Sequence, residues 1–246
     1  MSQDTPKIFC AIDTSDINEA TKIAKTAGRA TGAVKLGLTF FNQNGPAGIR
    51  QVVEASGNPA LFLDLKCHDI PMQVAGAVKS VVSLAPMYLT IHTSGGAEMM
   101  RQAAEAARQE AERQGVPRLK LLGITVLTSL DDDGLSAVGQ SIPAADQVTR
   151  LAKLAKESGL DGVVCSPREV ELVRQACGPD FDIVVPGIRP AGASLDDQAR
   201  VMTPDEAVVK GASHLVIGRP ITRADDPQAA ADAIQSSIDE ALAQAA

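Results

Sequence analysis

The chain has 246 residues, 45% apolar and 22% charged, with no Trp and a single Tyr. That length and balance suit one soluble globular core built from Ala, Val, Leu and Ile. The formal net charge of −7 argues against a nucleic-acid binder, which usually presents a basic face, but leaves room for one locally basic pocket that takes a phosphorylated small molecule.

Residues 1–7 carry no basic segment followed by an apolar one, so no secretory leader is expected. Residues 8–13 form a short apolar strand candidate that ends in Asp13. A helix-like stretch follows at 17–27, opened by Ser15 and Asp16, both good helix caps. The second strand candidate, 33–36, carries Lys35, and helix-like 49–55 leads to the third, 61–65, which holds Asp64 and runs into Lys66. Pro71 starts a helix over 72–83, since its fixed φ suits a first turn. Strand candidate 88–92 ends in His92, and helix-like 97–114 follows. The fifth strand candidate, 120–127, precedes Thr128. Residues 129–143, with Asp131, Asp132 and Asp133 in a row, are the least regular and read as a surface loop. Pro143 and Pro167 open helix-like 144–157 and 169–176, which flank strand candidate 162–165. Strand candidate 183–186 is followed by Arg189, and 214–217 by Gly218 and Arg219; Thr203 and Pro204 make a helix start between them. Residues 227–246 are Ala-rich with apolar residues at helical spacing. No apolar run reaches the ~18 residues of a membrane span, so the cytoplasm is the expected location.

Short, continuously apolar strands suit a parallel sheet buried on both faces. Eight of them alternating with helices predict a single-domain (β/α)8 barrel, with a doubly wound open sheet as the competitor. Cys10, Cys67, Cys165 and Cys177 lack CxxC spacing and read as reduced core thiols.

Active sites of such barrels lie at the C-terminal strand ends. Asp13, Lys35, Asp64, Lys66, His92, Thr128, Arg189 and Gly218-Arg219 all fall there. Strand alternation puts Asp64 and Lys66 on one face. Charges in an apolar strand are costly unless paired. A compact array of Asp13, Lys35, Asp64 and Lys66 at the mouth is therefore expected, either catalytic or a plain salt-bridge network. After strands 7 and 8, Gly187, Arg189, Gly218 and Arg219 supply glycine turns and guanidiniums suited to a phosphate, or form two ordinary turns with solvated arginines.

The string Asp64-Leu65-Lys66-Cys67-His68-Asp69-Ile70-Pro71 resembles that of orotidine 5′-phosphate decarboxylases. The resemblance extends through Asp13, Lys35, His92-Thr93-Ser94-Gly95-Gly96, Thr125 to Ser129, Leu160 to Ser166, Pro186 to Pro190, Asp197-Gln198 and Ile217 to Pro220. It implies a (β/α)8 homodimer that needs no metal or other cofactor and converts orotidine 5′-phosphate to UMP, the last step of de novo pyrimidine nucleotide synthesis. It implies Lys66 as the proton donor to C6 and Asp64 beside the departing carboxylate. Lys35 and Asp13 complete the charged array and meet the ribose. Asp69 and Ile70 serve the partner's site, and Thr128 contacts the pyrimidine. Arg189, Gln198, Gly218 and Arg219 lie on the phosphate side, with Gln198 on a closing loop. One departure stands out: where the family usually has Asn-Thr after Ile-Pro, this chain has Met72-Gln73, and Gln73 can still donate and accept.

That chemistry needs these residue types. Loss of CO2 leaves an electron pair in the plane of the ring, where the carbonyls delocalise it poorly. A fixed ammonium stabilises that charge and then supplies the proton. The rival readings are a metal-dependent sugar-phosphate decarboxylase or aldolase of the related barrels, and a non-catalytic nucleotide-binding barrel. His68, His92 and His214 lack metalloprotease spacing, and no Walker or dinucleotide fingerprint is present. His214 is expected to be structural, and His92 to serve packing or an interface.

Overall fold

The computed structural model describes residues 6–190 and 202–245. Eight parallel strands close into a barrel in chain order. They are β1 (Ile8–Ile12), β2 (Ala33–Gly37), β3 (Ala60–Cys67), β4 (Tyr88–His92), β5 (Lys120–Ile124), β6 (Gly162–Val164), β7 (Asp182–Val185) and β8 (His214–Ile217). The ring is completed by Ile8 of β1 pairing with Leu215 of β8, which removes the open-sheet alternative. The helices α1 (Ile17–Thr31), α2 (Leu38–Ala55), α3 (Pro71–Val81), α4 (Gly96–Gln114), α5 (Asp132–Ala137), α6 (Ala144–Glu157), α7 (Val170–Cys177), α8 (Pro204–Val209), α9 (Arg219–Thr222) and α10 (Pro227–Ala245) alternate with the strands. None among the described residues is long and apolar enough to cross a membrane.

The continuous apolar character of the strands follows from burial on both faces. In β1, Ile8, Cys10 and Ile12 pack into the cluster under the helices, while Phe9 and Ala11 join a second cluster inside the barrel. Capping fixes the helix that follows: Asp16 accepts from the Asn18 and Glu19 amides at 2.8 Å, and Gly32 ends α1 at φ 70, a left-handed cap that glycine adopts freely.

Several boundaries differ from the sequence reading. The fifth strand stops at Ile124, not 127, because the hydroxyl of Thr125 turns to the Val164 carbonyl at 2.8 Å. The acidic stretch read as loop contains α5, capped by Asp131 accepting from the Gly134 amide at 2.8 Å. Helix α2 starts at Leu38, before the expected 49, and kinks at Gly45 ahead of Pro46.

The N-terminal end of the barrel is stoppered by rings. Phe9, Phe62, Tyr88 and His214 meet edge to face at centroid separations of 5.4–5.9 Å. The Tyr88 hydroxyl donates to Asp182 Oδ2 at 2.7 Å and stands 3.0 Å from His214 Nε2. Lys120 reaches the same Asp182 oxygen at 2.9 Å, and His214 Nδ1 donates to the Pro6 carbonyl at 2.7 Å. Burial pushes His214 below its usual pKa. His214 is thus structural, as expected. Tyr88→Phe strips this buried network of its central hydroxyl and should lower stability by about 1–3 kcal/mol. A urea midpoint equal to wild type would contradict that role.

Candidate active site

The opposite end of the barrel holds a cavity of about 250 Å³. Asp13, Lys35, Asp64, Lys66, Thr128, Arg189, Gly218 and Arg219 all line it, and Phe62 and Val216 contribute apolar wall. Eight of the residues proposed from sequence therefore meet in one place.

Asp64 is the hub. Both of its oxygens lie 2.8 Å from Lys66 Nζ, and Oδ2 lies 3.3 Å from Lys35 Nζ. Lys35 in turn stands 3.9 Å from Asp13 Oδ1. The side chains of Asp64 and Lys35 are 13% and 10% exposed, against 36% for Lys66, so the more open ammonium is the one that can meet a ligand. Burial by itself would push the Asp64 carboxyl up. The charges of Lys35 and Lys66, with hydrogen bonds from Lys66 and Thr90, outweigh it and hold Asp64 below the usual carboxylate range.

Asp64 and Lys66 do meet, but not by simple alternation. Against β4 the register of β3 passes from Leu63↔Leu89 to Cys67↔Ile91, four residues advancing against two. Within that irregular segment Lys66 has φ 50. A left-handed backbone costs an L-residue roughly 1–2 kcal/mol, and such outliers persist only where the surroundings fix them. Thr90, which sequence reasoning missed, supplies the fixing contacts. Its hydroxyl accepts from the Lys66 amide at 2.8 Å and donates to Asp64 Oδ1 at 3.0 Å. The available signal was a polar residue at the middle of the strand 88–92, flanked by Leu89 and Ile91.

On the other side of the cavity, Gly187 turns the chain at φ 76. Arg189 follows, 8% exposed. Among the described residues its guanidinium meets only the Ile188 carbonyl, at 3.1 Å. A buried cation with one neutral partner is a place for an anion. Gly218 lies close to the charged array: a Cβ there would stand 3.7 Å from Asp13 Oδ2. Arg219 opens the single turn α9 beside it.

Asp69, Ile70 and Gln73 do not line this cavity. All three are exposed, Ile70 at 59%, and Asp69 accepts from the Ile70 amide at 2.7 Å. Met72 beside them is 69% exposed. Gln198 falls outside the described residues. His92 is half-buried and its ring faces His68 at 5.3 Å; burial, then His68 and Lys66, push its pKa down against Asp64. Among the described residues no group of three His, Cys, Asp or Glu could hold a metal. Cys10, Cys67, Cys165 and Cys177 are free thiols, each pushed up in pKa by burial.

A family model described as "Orotidine 5'-phosphate decarboxylase / HUMPS family" matches residues 6–234. A protein of Paramagnetospirillum magneticum named orotidine 5'-phosphate decarboxylase is 51% identical over 231 residues, 94% of this chain and 97% of that protein. One of the same name from Rhodospirillum rubrum is 50% identical, covering 94% and 93%. Among solved structures, orotidine 5'-phosphate decarboxylase from Lactobacillus acidophilus superposes with a TM-score of 0.81 at 36% identity, over 95% of this chain and 99% of that one.

Proposed function

The chain belongs to the orotidine 5′-phosphate decarboxylase / HUMPS family, and from that premise we propose that it decarboxylates orotidine 5′-phosphate to UMP, closing de novo pyrimidine nucleotide synthesis. The observation that carries the reading is Lys66 Nζ, 2.8 Å from both oxygens of Asp64 at the wall of the cavity.

In this reading the C6–carboxylate bond breaks, CO2 departs and the electron pair stays on C6. The Lys66 ammonium stabilises that pair as it develops and then donates a proton to C6. Lysine suits the role because it is a compact charge with transferable protons, whereas arginine holds its proton too tightly. Solvent returns the proton to Lys66. Asp64, ionised, keeps Lys66 charged and aimed. Beside the substrate carboxylate it also raises the energy of the bound substrate relative to the products. Lys35 and Asp13 extend the array toward the ribose, and Thr128 toward the pyrimidine. Arg189, Gly218 and Arg219, with Gln198, take the phosphate. The phosphate is remote from the breaking bond, so its binding energy serves orientation and water exclusion. Enzymes remove ~8–23 kcal/mol of barrier, and a carbanion without an electron sink calls for the upper part.

The short string from Asp64 to Gln73 then divides its duties. Asp64 and Lys66 belong to this chain's cavity. Asp69, Ile70 and Gln73, exposed outside it, belong to the cavity of a second copy in a homodimer.

The test is loss of orotidine 5′-phosphate ultraviolet absorbance on adding metal-stripped protein, with and without chelator. Equal turnover in both arms is expected. Turnover only after magnesium is restored would overturn the metal-free mechanism, and no turnover at all would remove the decarboxylase.

A further inference from the structure

We propose that Thr90 is a positioning residue for this decarboxylation, its hydroxyl locking the Lys66 backbone and the Asp64 carboxylate into one unit. The inference rests on the decarboxylase reading for its kinetic consequence, but not for its geometry.

Thr90 is fully buried at the centre of β4. An amide N–H can only donate and an ionised carboxylate can only accept. The Thr90 hydroxyl therefore has both directions fixed: it accepts from the Lys66 amide at 2.8 Å and gives its single proton to Asp64 Oδ1 at 3.0 Å. The β3–β4 register is broken between Leu63 and Cys67, and a side chain satisfies the Lys66 amide there. Lys66 has a left-handed φ of 50, a conformation its own side chain does not favour. The hydroxyl thus fixes the two ends of the Asp64–Lys66 pair independently, the carboxylate at one end and the lysine backbone at the other. The lysine side chain between them is held at its ammonium by Asp64, and that ammonium acts in the proposed chemistry. A misplacement of ~1 Å at such a centre can cost on the order of 100-fold in rate.

A purely structural threonine would affect folding alone, so the test separates the two. Thr90→Val keeps the shape and deletes the hydroxyl; Thr90→Ser keeps the hydroxyl. Thr90→Val should lower kcat on the order of 100-fold with little change in KM, and Thr90→Ser should restore most of it. The second readout needs no substrate: carbon NMR titration of Asp64. The charged and titratable groups around it are Lys35 from β2, Lys66 from β3, His92 from β4 and Asp13 beyond β1. All remain in both variants, while Thr90→Val loses one of the bonds that hold Asp64 down. Asp64 should then titrate at higher pH in Thr90→Val, and the acid limb of kcat should move up with it. Thr90→Ala replaces Thr90→Val should the latter not fold. Wild-type kcat and an unmoved Asp64 titration would overturn the proposal. So would a loss of activity matched only by a loss of folded protein. If wild-type protein leaves orotidine 5′-phosphate untouched, the decarboxylase reading falls, and the Asp64 titration still decides the role of Thr90.

Discussion

Lys66→Ala should retain its fold and lose at least ~10⁴-fold in kcat on orotidine 5′-phosphate, the product of a lost proton donor and a lost charge at the carbanion. Two features keep the fold out of this outcome. The Lys66 side chain is 36% exposed, so its removal opens no sealed cavity. Asp64 keeps Lys35 at 3.3 Å and Thr90 at 3.0 Å, so its buried charge is not orphaned. A melting temperature near wild type with no turnover is the expected pair of results, and near-wild-type kcat would end the mechanism. The same variant tests the shared site. Mixed and reassociated with an Asp69→Ala chain, random pairing of a two-fold dimer should recover roughly a quarter of wild-type activity from one intact site per mixed dimer. No recovery from two separately dead variants would place Asp69 in its own chain's site.

Arg189→Ala should act on binding. A charged hydrogen bond contributes about 1.5–3 kcal/mol, so affinity for UMP and orotidine 5′-phosphate should fall roughly 10- to 150-fold, and less for uridine, which lacks the phosphate. Arg189 is 8% exposed with one neutral partner among the described residues. Its removal therefore strands no carboxylate in the described site. Arg219→Ala should show the same contrast between nucleotide and nucleoside. Equal losses for UMP and uridine would move these arginines away from the phosphate. Calorimetry with the two ligands measures the difference directly.

The charged array was legible because its residues break a pattern. Asp64 stands out in a strand of Leu61, Phe62, Leu63 and Leu65, and Lys35 and Asp13 end apolar runs at matching places. Position at strand ends then made the cavity predictable from topology alone. What stayed hidden has a common cause: it depends on pairing between strands that are distant in sequence. Nothing in the composition marks Lys66 as left-handed, since that conformation is imposed by the register of β4. Thr90 was passed over because threonine is ordinary in strands; only its two partners make it special. The overlong fifth strand has the same origin. Thr125, Val126 and Leu127 have strand character, but Thr125 turns to Val164. Helix α5 escaped because it has no apolar stripe, only a cap at Asp131 and a buried Leu135.

The ring stopper at the foot of the barrel has a consequence for traffic. Phe9, Tyr88 and His214 are sealed from solvent, and Phe62, which packs on Phe9 and Tyr88, also lines the cavity that holds the charged array. Among the described residues, the barrel holds its cavity at one end and packed rings at the other. In the proposed reaction, substrate, CO2 and the solvent proton that recharges Lys66 would share the cavity end. In that reading Lys66 protonates C6 with the proton it carries when the nucleotide arrives, and takes the next one from solvent once the cavity is cleared.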